Sequence, residues 1–249
     1  MNKLASKTVL IVGGSSGIGA AAAQAFAALG AGVTIASRNQ AKLDAAAADI
    51  RKAVGTAAGS ALHTAVLDTA DEAAVDAFFA KAGPFDHVVI SAAQTPGGPV
   101  RELPLADAYA AMESKFWGAY RVARGVARAG KISDGGSLTL VSGFLSVRPS
   151  KSSVLQGAIN AALEALARGL ALELSPVRVN AVSPGLIATQ LWSKLSEEAR
   201  QSMFEGAAAR LPARRVGQAE DVANAIVYLA STAYATGSTV LVDGGGAIV

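Results

Sequence analysis

A short β-branched run, TVLIV from Thr8 to Val12, stops at a glycine-rich turn and gives way to an alanine-rich stretch of helical character. A continuous apolar run of this length, bounded by glycine, reads as a parallel strand buried on both faces. Gly13, Gly17 and Gly19 form a G-x-x-x-G-x-G turn, and the stretch from Gly17 to Leu29 reads as a helix ended by Gly30 and Gly32. Small residues in such a turn let the backbone approach a pyrophosphate, whose charge meets the positive end of the helix dipole. Strand, turn and helix together make Gly13, Ser15, Ser16, Gly17, Ile18 and Gly19 a candidate dinucleotide cradle. The competing reading is a tight β–α turn with no ligand.

The same alternation continues along the chain. GVTIAS (Gly32 to Ser37), Leu62 to Leu67 and His87 to Ser91 read as strands, as do Ser137 to Ser142, Val177 to Pro184 and Ser238 to Gly245. Helical patterns cover Gln40 to Val54, Glu72 to Ala82, about 105–129 and about 152–174. Strands alternating with helices of this length predict βαβ units. Right-handed crossovers then give an α/β fold, a Rossmann-type doubly wound parallel sheet with helices on both faces. No linker, repeat or low-complexity segment divides the 249 residues, so residues 1–249 are expected to form one domain.

Composition excludes several chemistries. With no cysteine there is no disulfide framework, thiolate metal site or cysteine nucleophile. The two histidines, His63 and His87, lack ligand-like spacing, which argues against a metal site and against a Ser-His hydrolase. A net charge of +3 without a block of like charges argues against a nucleic-acid surface. The apolar N-terminal stretch is too short for a signal peptide, and the Ala20–Ala36 run carries Gln24, Gly30 and Gly32, so no membrane span is expected. A soluble cytoplasmic protein is the expectation.

Where an acidic residue would grip the ribose hydroxyls of NAD, after the second strand, the chain has Ser37-Arg38. A guanidinium there can hold a 2′-phosphate in bidentate fashion, which points to NADP(H); a solvated arginine at a helix start is the bland alternative. Ser15 and Ser16 are further candidate donors to that phosphate.

These segments, together with the end of the chain, resemble the short-chain dehydrogenase/reductase family. The glycine spacing is the family's variant of the turn. Pro184-Gly185-Leu186-Ile187-Ala188-Thr189 matches its P-G-x-x-x-T motif, and RVGQAEDVANAIVYLAS and TGSTVLVDGG match its C-terminal pattern. The resemblance implies that Ile187 backbone and Thr189 hydroxyl meet the nicotinamide amide, with Pro184 and Gly185 beside them. It also implies that Asp68 contacts adenine, although a helix-capping role competes at that position. Two departures are small. Val12 stands where the family usually has Thr, and Ile90-Ser91-Ala92-Ala93 stands for Asn-Asn-Ala-Gly, with Ala92 still small enough for a close cofactor approach.

The large departure lies in the catalytic set. The family's Lys precedes the Glu of an L-A-L-E-L run by 13 residues; here that Glu is Glu173, so the slot holds Asn160, and the Tyr slot four residues earlier holds Gln156. An indel inside a packed helix would rotate its apolar face, which fixes this register. Ser142 is matched to the family's serine, with a loop to Gln156 one residue longer than is common. Lys115 stands at the family's Asn, three residues before Gly118. Lys115 and Asn160 therefore read as an exchanged pair that keeps one cation in the site. Gln cannot act as a general acid, whereas a desolvated Lys can release a proton.

The set Lys115, Ser142, Gln156 and Asn160 leads to an NADP(H)-dependent reductase of a carbonyl or similar electrophile. The alternatives are an NADPH-binding pseudoenzyme with a regulatory or interaction role, and a non-redox lyase or epimerase. A small-molecule substrate is expected beneath a mobile lid at about 188–209, where Trp192, Met203 and Phe204 either line an apolar pocket or pack as the helix's own stripe. By resemblance the helices carrying Lys115 and Gln156, and the segment STVLVDGGGAIV, form interfaces of a homotetramer or homodimer.

Overall fold

The computed structural model describes residues 4–55 and 61–249. Strands β1 (Thr8–Val12), β2 (Gly32–Ser37), β3 (Leu62–Val66), β4 (Phe85–Ile90), β5 (Ile132–Val141), β6 (Arg178–Pro184) and β9 (Thr239–Val242) form one sheet in the order β3-β2-β1-β4-β5-β6-β9. Every pairing is parallel. Strands β7 (Ile187–Ala188) and β8 (Gly217–Gln218) pair apart from it. The helices are α1 (Gly17–Ala28), α2 (Gln40–Val54), α3 (Glu72–Lys81), α4 (Leu105–Met112), α5 (Gly118–Arg128), α6 (Val154–Glu173), α7 (Glu197–Arg210) and α8 (Ala219–Ser231).

The period-2 alternation of β1 divides the core. Val9 and Ile11 pack with α1, α2 and α8 through Phe26, Leu43 and Ile226, whereas Leu10 and Val12 face Phe79, Val122 and Leu163 of α3, α5 and α6. Both faces are therefore covered, as a buried parallel sheet requires. Alanine and glycine on α1 and α5 let these helices lie close: a Cβ on Gly125 would come within 2.9 Å of both Phe79 and Val75. Among the described residues no helix is long and apolar enough to cross a membrane.

The sequence reading and the structure differ at three places. Strand β5 begins at Ile132, five residues before the expected start, because the Ser133–Gly136 segment bulges out between the pairings Phe85↔Ile132 and His87↔Ser137. Helix α7 runs through the segment expected as a lid at about 188–209, and α8 forms from the stretch identified only by its family pattern. The expected helix at about 105–129 is interrupted by a π turn, Glu113–Trp117, in which Gly118 N–H donates to Glu113 C=O. Such a turn is a single-residue widening of the helix and is often found at functional sites. Here it carries Lys115.

Candidate active site

The sheet reverses direction of winding at β1, which pairs with β2 on one side and β4 on the other. A cavity of about 1260 Å³ opens beyond the carboxyl ends of these strands, where ligands bind in open α/β sheets. Of the residues expected at the site, Gly13, Ser15, Ser16, Ile18, Gly19, Ser37, Arg38, Asp68 and Ala92 line it. So do Lys115, Ser142, Gln156, Asn160, Pro184, Gly185, Ile187 and Thr189. Gly17 is not among the lining residues; a Cβ added there would come 3.5 Å from Thr189.

The glycine-turn end is built for close approach and offers uncommitted polar groups. A Cβ on Gly13 would come within 2.5 Å of Ala92 N, and one on Gly19 would overlap the Gly13 carbonyl. Ser16 occupies the N-cap of α1, yet its hydroxyl makes no capping bond, so that hydroxyl is not committed to the helix. Ser37 Oγ is buried with no hydrogen-bond partner. Arg38 is exposed and, among the described residues, forms no ion pair. Lys42 lines the same end from the first turn of α2, four residues after Arg38, which precedes the Asn39 N-cap. Asp71 caps α3, accepting from Ala74 N at 3.0 Å. Asp68 instead accepts from Ala70 N and faces the cavity, so the helix-capping reading of Asp68 is set aside.

At the other end, Lys115 Nζ donates to Ser142 C=O at 2.8 Å and to Asn160 Oδ1 at 2.6 Å. Among the described residues no carboxylate lies within ion-pair distance of it. Burial pushes Lys115 down to about 8, a fall that the charge of Glu164 partly opposes. Asn160 is buried, and its amide carbonyl faces the ammonium, which fixes its orientation.

Gln156 Nε2 donates to Pro96 C=O at 2.8 Å, while its amide oxygen is buried without a partner. The nitrogen lies so close to Gly97 that a Cβ there would overlap it. Gly97 is the mark of this contact in the sequence, since a residue without a side chain leaves room for the amide.

Ser142 departs most from expectation. The residue is 3% exposed, and its hydroxyl turns away from the cavity to donate to Glu164 Oε1 at 2.9 Å, with Val182 C=O at 3.2 Å as the other acceptor. A hydroxyl has one proton, so none is free for a substrate carbonyl while Glu164 holds it. The longer loop noted above has the same meaning: counted from Gln156 at the shorter spacing, the slot falls on Gly143, whose added Cβ would lie 2.6 Å from Asn160 Nδ2.

The segment expected as a lid holds a short 3-10 turn, Gln190–Trp192, followed by α7. Trp192 Nε1 donates to Ile187 C=O at 2.9 Å, and with Leu191, Leu145 and Pro96 it gives the cavity an apolar side. Met203 and Phe204 do not reach the cavity; they sit half-buried along α7. Among the described residues no tyrosine lines the cavity, and no group of three His, Cys, Asp or Glu side chains is placed to hold a metal ion.

A doubly wound parallel sheet with a glycine turn and an anion-ready pocket at its switch point defines an α/β protein of dinucleotide-binding type. The family model described as enoyl-(acyl carrier protein) reductase matches residues 12–246. A short-chain dehydrogenase/reductase of Acremonium sp is 31% identical, with 99% of this chain and 97% of that protein covered. A small-chain dehydrogenase solved in complex with NADPH is 32% identical and superposes with a TM-score of 0.81 over 98% of this chain and 100% of that one. The reductase/Diels-Alderase from Malbranchea aurantiaca is 26% identical, with a TM-score of 0.89 over 100% and 99%. This chain belongs to the short-chain dehydrogenase/reductase family of oxidoreductases.

Proposed function

We propose that the protein is an NADP(H)-dependent reductase of a carbonyl or similar electrophile, with an active site rebuilt around Lys115. The observation that carries this reading is the placement of the Lys115 ammonium between Ser142 C=O and Asn160 Oδ1 on the cavity wall. The residues present fit the cofactor. Gly13 and Gly19 admit its pyrophosphate, while the orphaned Ser37 hydroxyl and the unpaired Arg38, with Lys42, suit a 2′-phosphate. Ile187 and Thr189 are assigned to the nicotinamide side.

When bound, the reduced nicotinamide supplies a hydride. Lys115 has three N–H donors; two are fixed by Ser142 and Asn160, and the third is left for the substrate oxygen. As that oxygen becomes negative, Lys115 stabilises it and hands over a proton, for which its lowered pKa suits it. Gln156 orients the substrate through its unpartnered amide oxygen, accepting from a donor on the ligand. Asn160 holds Lys115, and Ser142 contributes its backbone carbonyl. Leu191 and Trp192 cover the apolar side, within the 188–209 lid of a single domain. Losing the usual general acid costs roughly 10² to 10⁴ in rate, which leaves slow turnover on activated substrates.

The second reading is a cofactor-binding pseudoenzyme. It is favoured by the sequestered Ser142 hydroxyl and by the absence of a phenol from the cavity lining among the described residues. A panel of carbonyls and quinones with NADPH, run beside Lys115→Ala, separates the two. Turnover that Lys115→Ala abolishes supports the reductase. NADPH binding without turnover on any member supports the second reading. The exposed Trp117 and Tyr120, in edge-to-face contact, support the assignment of this helix face to a homodimer or homotetramer; sedimentation as a monomer at micromolar concentration would exclude it.

A further inference from the structure

Glu164 is a buried carboxylate that the mechanism above does not use. It is 7% exposed, and its Oε1 accepts from three serine hydroxyls: Ser142 at 2.9 Å, Ser146 at 2.7 Å and Ser183 at 3.0 Å. Three hydroxyl donors converging on one oxygen satisfy a buried polar atom that would otherwise be costly to bury. The serines come from three separate places: the residue after β5, the turn that follows it, and β6. So the cluster ties two sheet strands and a loop to α6.

Position on α6 gives the cluster its meaning. Asn160 and Glu164 are four residues apart and share a helix face. Lys115 meets Asn160 directly and reaches Glu164 through one residue, Ser142, whose carbonyl accepts from the ammonium and whose hydroxyl donates to the carboxylate. Around Nζ, α6 contributes Glu164 and the neutral Asn160 and Gln156, and the end of β5 contributes backbone and serine. The π turn's own acid, Glu113, is paired with Arg121. Glu164 is thus the charge that lies behind Ser142 from Lys115, close enough to oppose the effect of burial on it.

We propose that Glu164 is the positioning residue of this site: through Ser142 it fixes the carbonyl to which Lys115 donates, and it supplies the counter-charge to the buried ammonium. This rests on the reading of Lys115 as the working cation, but its test needs no turnover. The pH titration of the Lys115 side chain, followed by NMR in lysine-labelled protein and assigned with Lys115→Ala, reads the coupling directly.

In Glu164→Gln, which keeps the shape and an acceptor for the serines, Lys115 should titrate about one pH unit lower than in the wild type. A purely structural role for Glu164 would alter stability and leave that midpoint in place. An unchanged midpoint in a folded Glu164→Gln overturns the proposal. If that variant does not fold, Glu164→Met, which removes the charge at nearly the same side-chain length, repeats the measurement. There the Lys115 midpoint should again fall, and an unchanged midpoint overturns the proposal. Absence of reductase activity in the wild type would count against the proposed reaction while leaving this titration to decide the role of Glu164.

Discussion

Lys115 Nζ lies 2.6 Å from Asn160 Oδ1, so a cation on the π turn and an amide on α6 act as one hydrogen-bonded unit. Charge-assisted bonds of this length are about twice as strong as neutral ones. Lys115→Ala should therefore remove turnover and leave the fold intact. Gln156→Tyr alone should restore little, because the phenol would lack a lysine at position 160. The triple change Lys115→Asn, Gln156→Tyr, Asn160→Lys should raise turnover on simple ketones or aldehydes. Asn160→Lys with Lys115 retained should be worse than the wild type, since two ammonium groups would repel in a poorly solvated place. Steady-state kinetics across these variants must be read as a cycle. A Lys115→Ala enzyme unchanged in rate, cofactor affinity and stability would refute the mechanism.

The titration of Lys115 should appear in both rate and stability. Its folded value, about 8, lies below the ordinary 10.5. Between those limits the unfolded chain keeps a proton that the folded chain has released, so the group's contribution to stability climbs as pH rises through the window. Below pH 8 the buried ammonium imposes its full cost. Lys115→Met should then raise the melting temperature, relative to wild type, more at pH 7 than at pH 10. Reductase rate should fall along a limb above about pH 8 as the proton donor is lost.

Arg38→Ala should weaken NADPH binding by roughly ten-fold or more, the scale of a lost charge-assisted pair, and change NADH binding little. Isothermal titration with both cofactors checks this. An equal loss for the two, or a wild type that prefers NADH, would contradict the 2′-phosphate assignment.

Gly19→Ala should disrupt the turn, because its Cβ would overlap the Gly13 carbonyl and lie 2.6 Å from Ser91 Oγ. Backbone atoms cannot step aside as a flexible side chain can, so a loss of about 1–3 kcal/mol is expected together with lost cofactor affinity. Thermal melts and a cofactor titration on the same variant measure both.

Much of this architecture is written in local pattern. The glycine turn, the alternation of strands with helices and the cavity-lining residues from Gly13 to Thr189 could be read because each depends on spacing along one short segment. What could not be read depends on tertiary partners. The resemblance places Ser142 in the catalytic set, and only the approach of Glu164 from α6 shows its hydroxyl turned inward. The early start of β5 follows from pairing with β4 across a bulge, and the interruption at Glu113–Trp117 leaves no mark in hydrophobic periodicity. Met203 and Phe204 have the right chemistry for a pocket, but the course of α7 carries them past it.

The position of β1 between β2 and β4 divides the cavity's ancestry along the chain. Residues before Thr69 shape the end assigned to the dinucleotide's phosphates, and residues from Gln94 to Trp192 shape the end assigned to chemistry. The two halves meet only around the glycine turn and the strand ends. Substitutions can accumulate in one half without disturbing the other, so the molecule is modular with respect to change. A lineage can rewrite its acid and its cation on α6 and the π turn while the nucleotide grip stays as it was, and a new reaction can be tried without surrendering the old ligand.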